Sequence, residues 1–89
     1  MRRVKRHSSF KKNYKKRIAG YPKLVAQFEE KTNLFISGVS GYTIYDHPLT
    51  GKLVGKRSFS IANDCRVVYE VVDDICIFID IGSHNQVYR

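Results

Sequence analysis

The sequence predicts an α+β domain in the order β-α-α-β-β-β, with an N-terminal helical hairpin packed on one face of an antiparallel sheet. Three observations lead there. Apolar residues recur at helical spacing between Phe10 and Ile36, the period changes after Gly38, and the segments from Cys65 to Ile81 are rich in Val, Ile, Tyr and Phe. A chain of 89 residues supports one modest core, so residues 1–89 are expected to form a single domain.

Met1–His7 reads as a short edge strand, where Arg and Lys discourage further pairing. Ser8 or Ser9 is a suitable N-cap for the first helix. Phe10, Tyr14 and Ile18 then form one apolar stripe on a helix otherwise made largely of lysine, and Gly20 is its expected end. Pro22 sits where the first turn of a second helix tolerates it. That helix is expected from Lys23 to about Ser37, with Leu24, Val25, Phe28, Thr32, Phe35 and Ile36 near one face and Gly38 as the stop. Gly41 to Gly55 reads as a loop-rich connection with a Thr50-Gly51 turn. Arg57–Ile61 alternates as a strand, with Arg57, Phe59 and Ile61 on one side and Ser58 and Ser60 on the other. Cys65–Val72 and Ile75–Ile81 are strong strands. Asn63-Asp64 and Asp73-Asp74 are turn chemistry, the second a tight hairpin.

Composition narrows the function. At 43% apolar and 27% charged, the chain is globular rather than disordered, collagen-like or coiled-coil. No apolar run reaches the roughly 18 residues that span a bilayer, and no apolar stretch follows the basic N-terminus as a secretory signal requires. Cys65 and Cys76 fit neither a metal cluster nor a disulfide framework, and a reducing, cytoplasmic setting is expected. The net charge is +8, and nine Arg or Lys residues from Arg2 to Arg17 precede the first acid, Glu29. Such a field attracts nucleic acid or a ribosome in a salt-dependent way. It equally suits a solvated face awaiting an acidic protein.

Metal and phosphate-loop patterns are missing. The three histidines show no HExxH spacing, there is no CxxC, and Gly51 and Gly55 make no Walker or dinucleotide signature, so no cofactor is implied. Acid–base work on an anionic substrate remains. RNA is cleaved without a metal when a base activates the 2′-hydroxyl, an acid protonates the leaving 5′-oxygen, and cations hold the phosphorane's charge. His47, in an Asp46-His47-Pro48 loop, and His84, past the last strand, are candidates for proton transfer. Each is equally read, from spacing alone, as a loop histidine bonded to backbone. Arg57 and Arg66 interrupt strands. They either bind phosphate, snorkel to solvent, or pair with Glu70 and Asp80.

Taken together, Asp46-His47-Pro48-Leu49-Thr50-Gly51, Gly55-Lys56-Arg57, Cys65-Arg66-Val67-Val68-Tyr69-Glu70 and Ile81-Gly82-Ser83-His84 closely resemble the RelE/YafQ family of toxin endoribonucleases. The motifs cover the second half of the chain, and the helical hairpin agrees in position and length. The resemblance implies a microbial-RNase-like fold, cleavage of mRNA in the ribosomal A site, and neutralisation by a cognate antitoxin. It assigns His84, His47 and the turn acid Asp64 to proton transfer or substrate positioning. Arg57 and Arg66, with Lys56 beside them, match positions that hold phosphate or RNA, and Tyr88 matches an aromatic that stacks on a base. Ser60 stands where the YafQ branch often carries a further histidine, which shifts proton transfer to His84, His47 or Asp64. Two other readings stay open: a ParE-like toxin that inhibits DNA gyrase without nuclease activity, and a non-catalytic basic protein bound to ribosomal RNA.

Overall fold

A computed structural model describes residues 1–39 and 43–88. Its elements are β1 (Arg3–Arg6), α1 (Ser8–Arg17), α2 (Pro22–Ile36), β2 (His47–Pro48), β3 (Arg57–Ala62), β4 (Cys65–Val72), β5 (Ile75–Gly82) and α3 (His84–Val87), with a 3-10 turn at Gly51–Leu53. The five strands lie in the order β1-β5-β4-β3-β2. The β2–β3, β3–β4 and β4–β5 pairs are antiparallel. One edge departs from the wholly antiparallel expectation, because β1 runs parallel to β5.

The same pairing moves the start of α1. The His7 amide donates to the Phe78 carbonyl at 2.9 Å, which keeps His7 extended and leaves Ser8 as the first helical residue. The cap is therefore the His7 ring, whose Nδ1 accepts from the Ser9 amide, while the Ser9 hydroxyl is drawn off to the Ile79 carbonyl. At the other end Ile18 turns into the core and closes the helix ahead of Gly20.

Phe10, Ile18, Phe28 and Phe35 carry the helical stripes into the sheet and are all buried. They meet Phe59 and Ile61 of β3, Val67 and Tyr69 of β4, and Phe78 and Ile81 of β5. Phe35 stacks on Phe59 at 4.6 Å and meets Tyr69 edge-on at 4.8 Å. Each fully buried aromatic contributes about 2–3 kcal/mol by leaving water. The opposite face carries a smaller cluster of Leu49, Val68 and Val87, flanked by Leu53, Ile79 and Tyr88.

Two features fall outside the sequence reading. The connection expected to be loop from Gly41 to Gly55 contains β2, which pairs His47 with Ser58 and Pro48 with Arg57. Gly41 itself lies outside the described residues. Past the last strand, where the sequence reading offered only a loop around His84, residues His84–Val87 form α3, held by a capping box between Ser83 and Gln86. The Asp73-Asp74 hairpin places both residues at positive φ, 51° and 64°, as the tightest hairpin turn requires. Among the described residues no helix is long and apolar enough to cross a membrane.

Candidate active site

Strand alternation decides which side chains meet. Cys65, Val67 and Tyr69 of β4 turn towards the helices, so Arg66 and Val68 between them face the other way. On that opposite face Val87 packs against Val68 and Leu49, which fixes α3 across the end of the sheet. His84, the first residue of α3, is thereby brought to the end of β4.

Asp64, in the β3–β4 turn, accepts the His84 amide at 3.0 Å. Arg66 lies between them, its guanidinium 3.5 Å from the Asp64 carboxylate and 3.5 Å from His84 Nδ1. The same guanidinium sits 5.6 Å from the Tyr88 ring centre. Tyr88 meets the His84 ring edge-on at 4.7 Å, and its hydroxyl donates to Ser58 Oγ at 3.2 Å. The Arg66 side chain is only 16% exposed, and its Nε is buried without a protein acceptor.

His47 approaches this cluster from β2. It lines a cleft of about 520 Å³ together with Pro48, Leu49, Thr50, Lys52, Leu53, His84 and Tyr88. Both candidate histidines therefore face one cavity, with an aromatic ring and a lysine in its wall. A larger groove, about 910 Å³, runs between the helices and the β3–β4 end of the sheet. It includes Asp64, Ser60 and Ser83 but neither candidate histidine.

The structure brings together His84, Asp64, Arg66 and Tyr88, with His47 across the cleft. It leaves two sequence candidates outside. Arg57 shares its side of β3 with Phe59 and Ile61, and its Nε donates to Asp46 at 3.1 Å and to the Tyr69 hydroxyl at 3.2 Å. Burial pulls the Arg57 guanidinium down, but the Tyr69 hydroxyl and the Asp46 carboxylate outweigh it and hold it above its ordinary value. Arg57 and Arg66, both matched by the resemblance to positions that hold phosphate or RNA, therefore lie on opposite faces of the sheet. Lys56 contributes backbone, accepting from Leu49 and donating to Leu53, and its side chain does not line the cleft. Lys52, which the sequence reading passed over, lines it instead. Neither Glu70 nor Asp80 pairs with these arginines, since Asp80 is held by Arg17 at 3.2 Å.

Ser60 is the cross-strand partner of Arg66, so a cation stands beside the place where the resemblance expects histidine. Among the described residues no group of three or more His, Cys, Asp or Glu is gathered as a metal site. Cys65 and Cys76 are free and buried. Burial, slightly offset by the neighbouring Arg66, pushes the Cys65 thiol up to about 11, so it is not a thiolate nucleophile.

Solved structures share this architecture from end to end. YafQ from E. coli strain BL21(DE3) superposes with a TM-score of 0.79 at 21% identity, covering 100% of both chains. The E. coli DinJ–YafQ complex matches with a TM-score of 0.80 at 20% identity, again over 100% of both chains. The protein HP0894 from Helicobacter pylori matches with a TM-score of 0.69 at 28% identity, over 96% of this chain and 97% of that one. No match is found among curated proteins. A small α+β fold of the YafQ and RelE type is thus defined by the backbone alone. The family described as the bacterial toxin of type II toxin–antitoxin systems, YafQ, matches residues 2–89, and this chain belongs to it.

Proposed function

We propose that this toxin acts as a single-domain, ribosome-dependent endoribonuclease that cuts mRNA in the A site. The observation that carries the reading is one cleft faced by His47 and His84, with Arg66 and Tyr88 packed against His84. In this scheme one histidine takes the proton of the 2′-hydroxyl as that oxygen attacks the adjacent phosphorus. The other protonates the departing 5′-oxygen, leaving a cyclic phosphate and a free 5′-hydroxyl. Arg66, whose guanidinium lies beside His84, balances the charge gathering on the phosphorane, and Lys52 extends the cationic wall. Tyr88 supplies a face on which a base stacks. Asp64 fixes the start of α3, and with it His84, by accepting a hydrogen bond from the His84 amide.

The lysines of α1, Lys11, Lys12, Lys15 and Lys16, are all exposed, and no acid lies within the helix. They suit a ribosomal RNA surface, with the salt dependence that phosphate contacts bring. A cytoplasmic antitoxin of acidic character would mask the same charge. The E. coli YafQ structures in complex with the antitoxin DinJ support an antitoxin partner.

The decisive assay presents a labelled mRNA on intact ribosomes to the wild type and to His84→Ala and Arg66→Ala. Codon-phased cuts that need the ribosome are expected, falling by about 100-fold or more in His84→Ala. An intact message in the presence of folded wild-type toxin overturns the nuclease reading, and a gyrase supercoiling assay then tests the ParE-like one.

A further inference from the structure

The segment Tyr45–His47 is held in an unusual way. Tyr45 adopts φ 52°, a left-handed conformation that costs a residue with a Cβ roughly 1 kcal/mol. The turn brings the Tyr45 carbonyl to 2.8 Å from His47 Nδ1, with the two rings 4.4 Å apart. A carbonyl oxygen only accepts, so Nδ1 carries the proton. In the neutral ring the lone pair then lies on Nε2, on the other side of an imidazole that lines the cleft.

Asp46, between these two residues, turns inward, and its side chain is only 3% exposed. Its Oδ1 accepts from the Tyr69 hydroxyl at 2.7 Å and from Arg57 Nε at 3.1 Å. Arg2 stands 3.9 Å from Oδ2 and also donates to the carbonyls of Phe35 and Val39. Burial, and then the bond to Asp46, hold the Tyr69 hydroxyl well above its ordinary range, so it stays a protonated donor. A buried ion pair is often no more stabilising than apolar residues of the same volume, whereas removing one partner is costly. In some proteins such a pair serves to select one conformation.

We propose that the Asp46, Tyr69 and Arg57 network is a positioning device for His47. It clamps the Tyr45–His47 turn so that the imidazole is held as the Nδ1–H tautomer, with Nε2 free to exchange a proton in the cleft. None of the three touches substrate; each acts through the turn. The catalytic consequence rests on the nuclease reading above, but the tautomer itself does not.

The test combines long-range proton–nitrogen NMR of the imidazoles, above the ordinary histidine titration range, with cleavage of ribosome-bound mRNA. Wild type, Tyr69→Phe and Asp46→Asn are compared. Tyr69→Phe removes one hydroxyl and keeps the ring in the core, so the fold is retained. The wild type is expected to show Nδ1–H at His47. Tyr69→Phe is expected to show mixed tautomers and a kcat lowered about tenfold at unchanged KM, the signature of an interaction spent on the transition state. Folded Asp46→Asn should lose more; should it fail to fold, Tyr69→Phe carries the decision. A wild-type His47 protonated on Nε2, or a folded Tyr69→Phe with unchanged tautomer and kcat, overturns the clamp. A wild type that leaves mRNA intact sinks the nuclease reading, and the NMR comparison still decides the clamp.

Discussion

The two faces of the sheet are built to different standards. Towards the helices, Phe10, Phe28, Phe35, Phe59 and Phe78 form a continuous aromatic core, each ring within about 6 Å of at least one other, as at 5.4 Å between Phe10 and Phe78. Towards the cleft, three buried aliphatic residues support the exposed His84 and the partly buried Arg66 and Tyr88. The first face carries stability. The second holds polar groups near one another with little beneath them, an arrangement that costs stability and leaves room for a substrate.

Truncation separates the two most strongly. Phe59→Ala, fully buried and stacked on Phe35, should lose about 3–5 kcal/mol in urea unfolding. His84→Ala, exposed at the start of α3, should stay within about 0.5 kcal/mol of wild type while losing cleavage. Comparable losses of stability in both would erase the distinction between the faces.

Alkaline titration gives a smaller effect. The Cys65 thiol is raised to about 11 in the folded chain, so between its unfolded value and 11 the native state binds the proton more tightly. Stability from this group is full at neutral pH and falls as pH rises through that window, by at most roughly 2–3 kcal/mol. Unfolding of Cys65→Ala should show a shallower alkaline decline than wild type. Identical slopes would mean that Cys65 is more open to water than its position beneath the helices indicates. Its thiol should also react slowly with alkylating reagents until the protein is unfolded. The smallest effect is expected at Val71, exposed near the β4–β5 hairpin and outside both buried clusters, where Val71→Thr should change stability by less than about 0.5 kcal/mol and leave cleavage intact.

Periodicity made the two helices and the three long strands legible, because each buries one face and the spacing of Phe10, Tyr14, Ile18 and of Arg57, Phe59, Ile61 records which. The same alternation carried an unused signal. Arg57 shares parity with two core residues, whereas Arg66 lies between Cys65 and Val67, which already places them on opposite faces. The cleft was less legible. Lys52 enters it through a loop with no repeating pattern, and β2 is two residues long and contains a proline, too short to show any period.

The sequence by itself determined the fold class, the two long helices, the N-terminal edge strand and the three long strands, the basic charge and the motifs that place the chain beside YafQ toxins. Those properties are local, or sum over composition, and survive without knowledge of which segments touch. Only the tertiary structure decided that β1 runs parallel to β5, that His7 rather than a serine caps α1, and that Arg66 joins His84 while Arg57 locks onto Asp46. Each depends on contacts between residues far apart in the chain, such as His7 with Phe78 or Asp46 with Tyr69. A polar side chain takes whichever partner burial leaves it, and a one-dimensional pattern does not contain that choice.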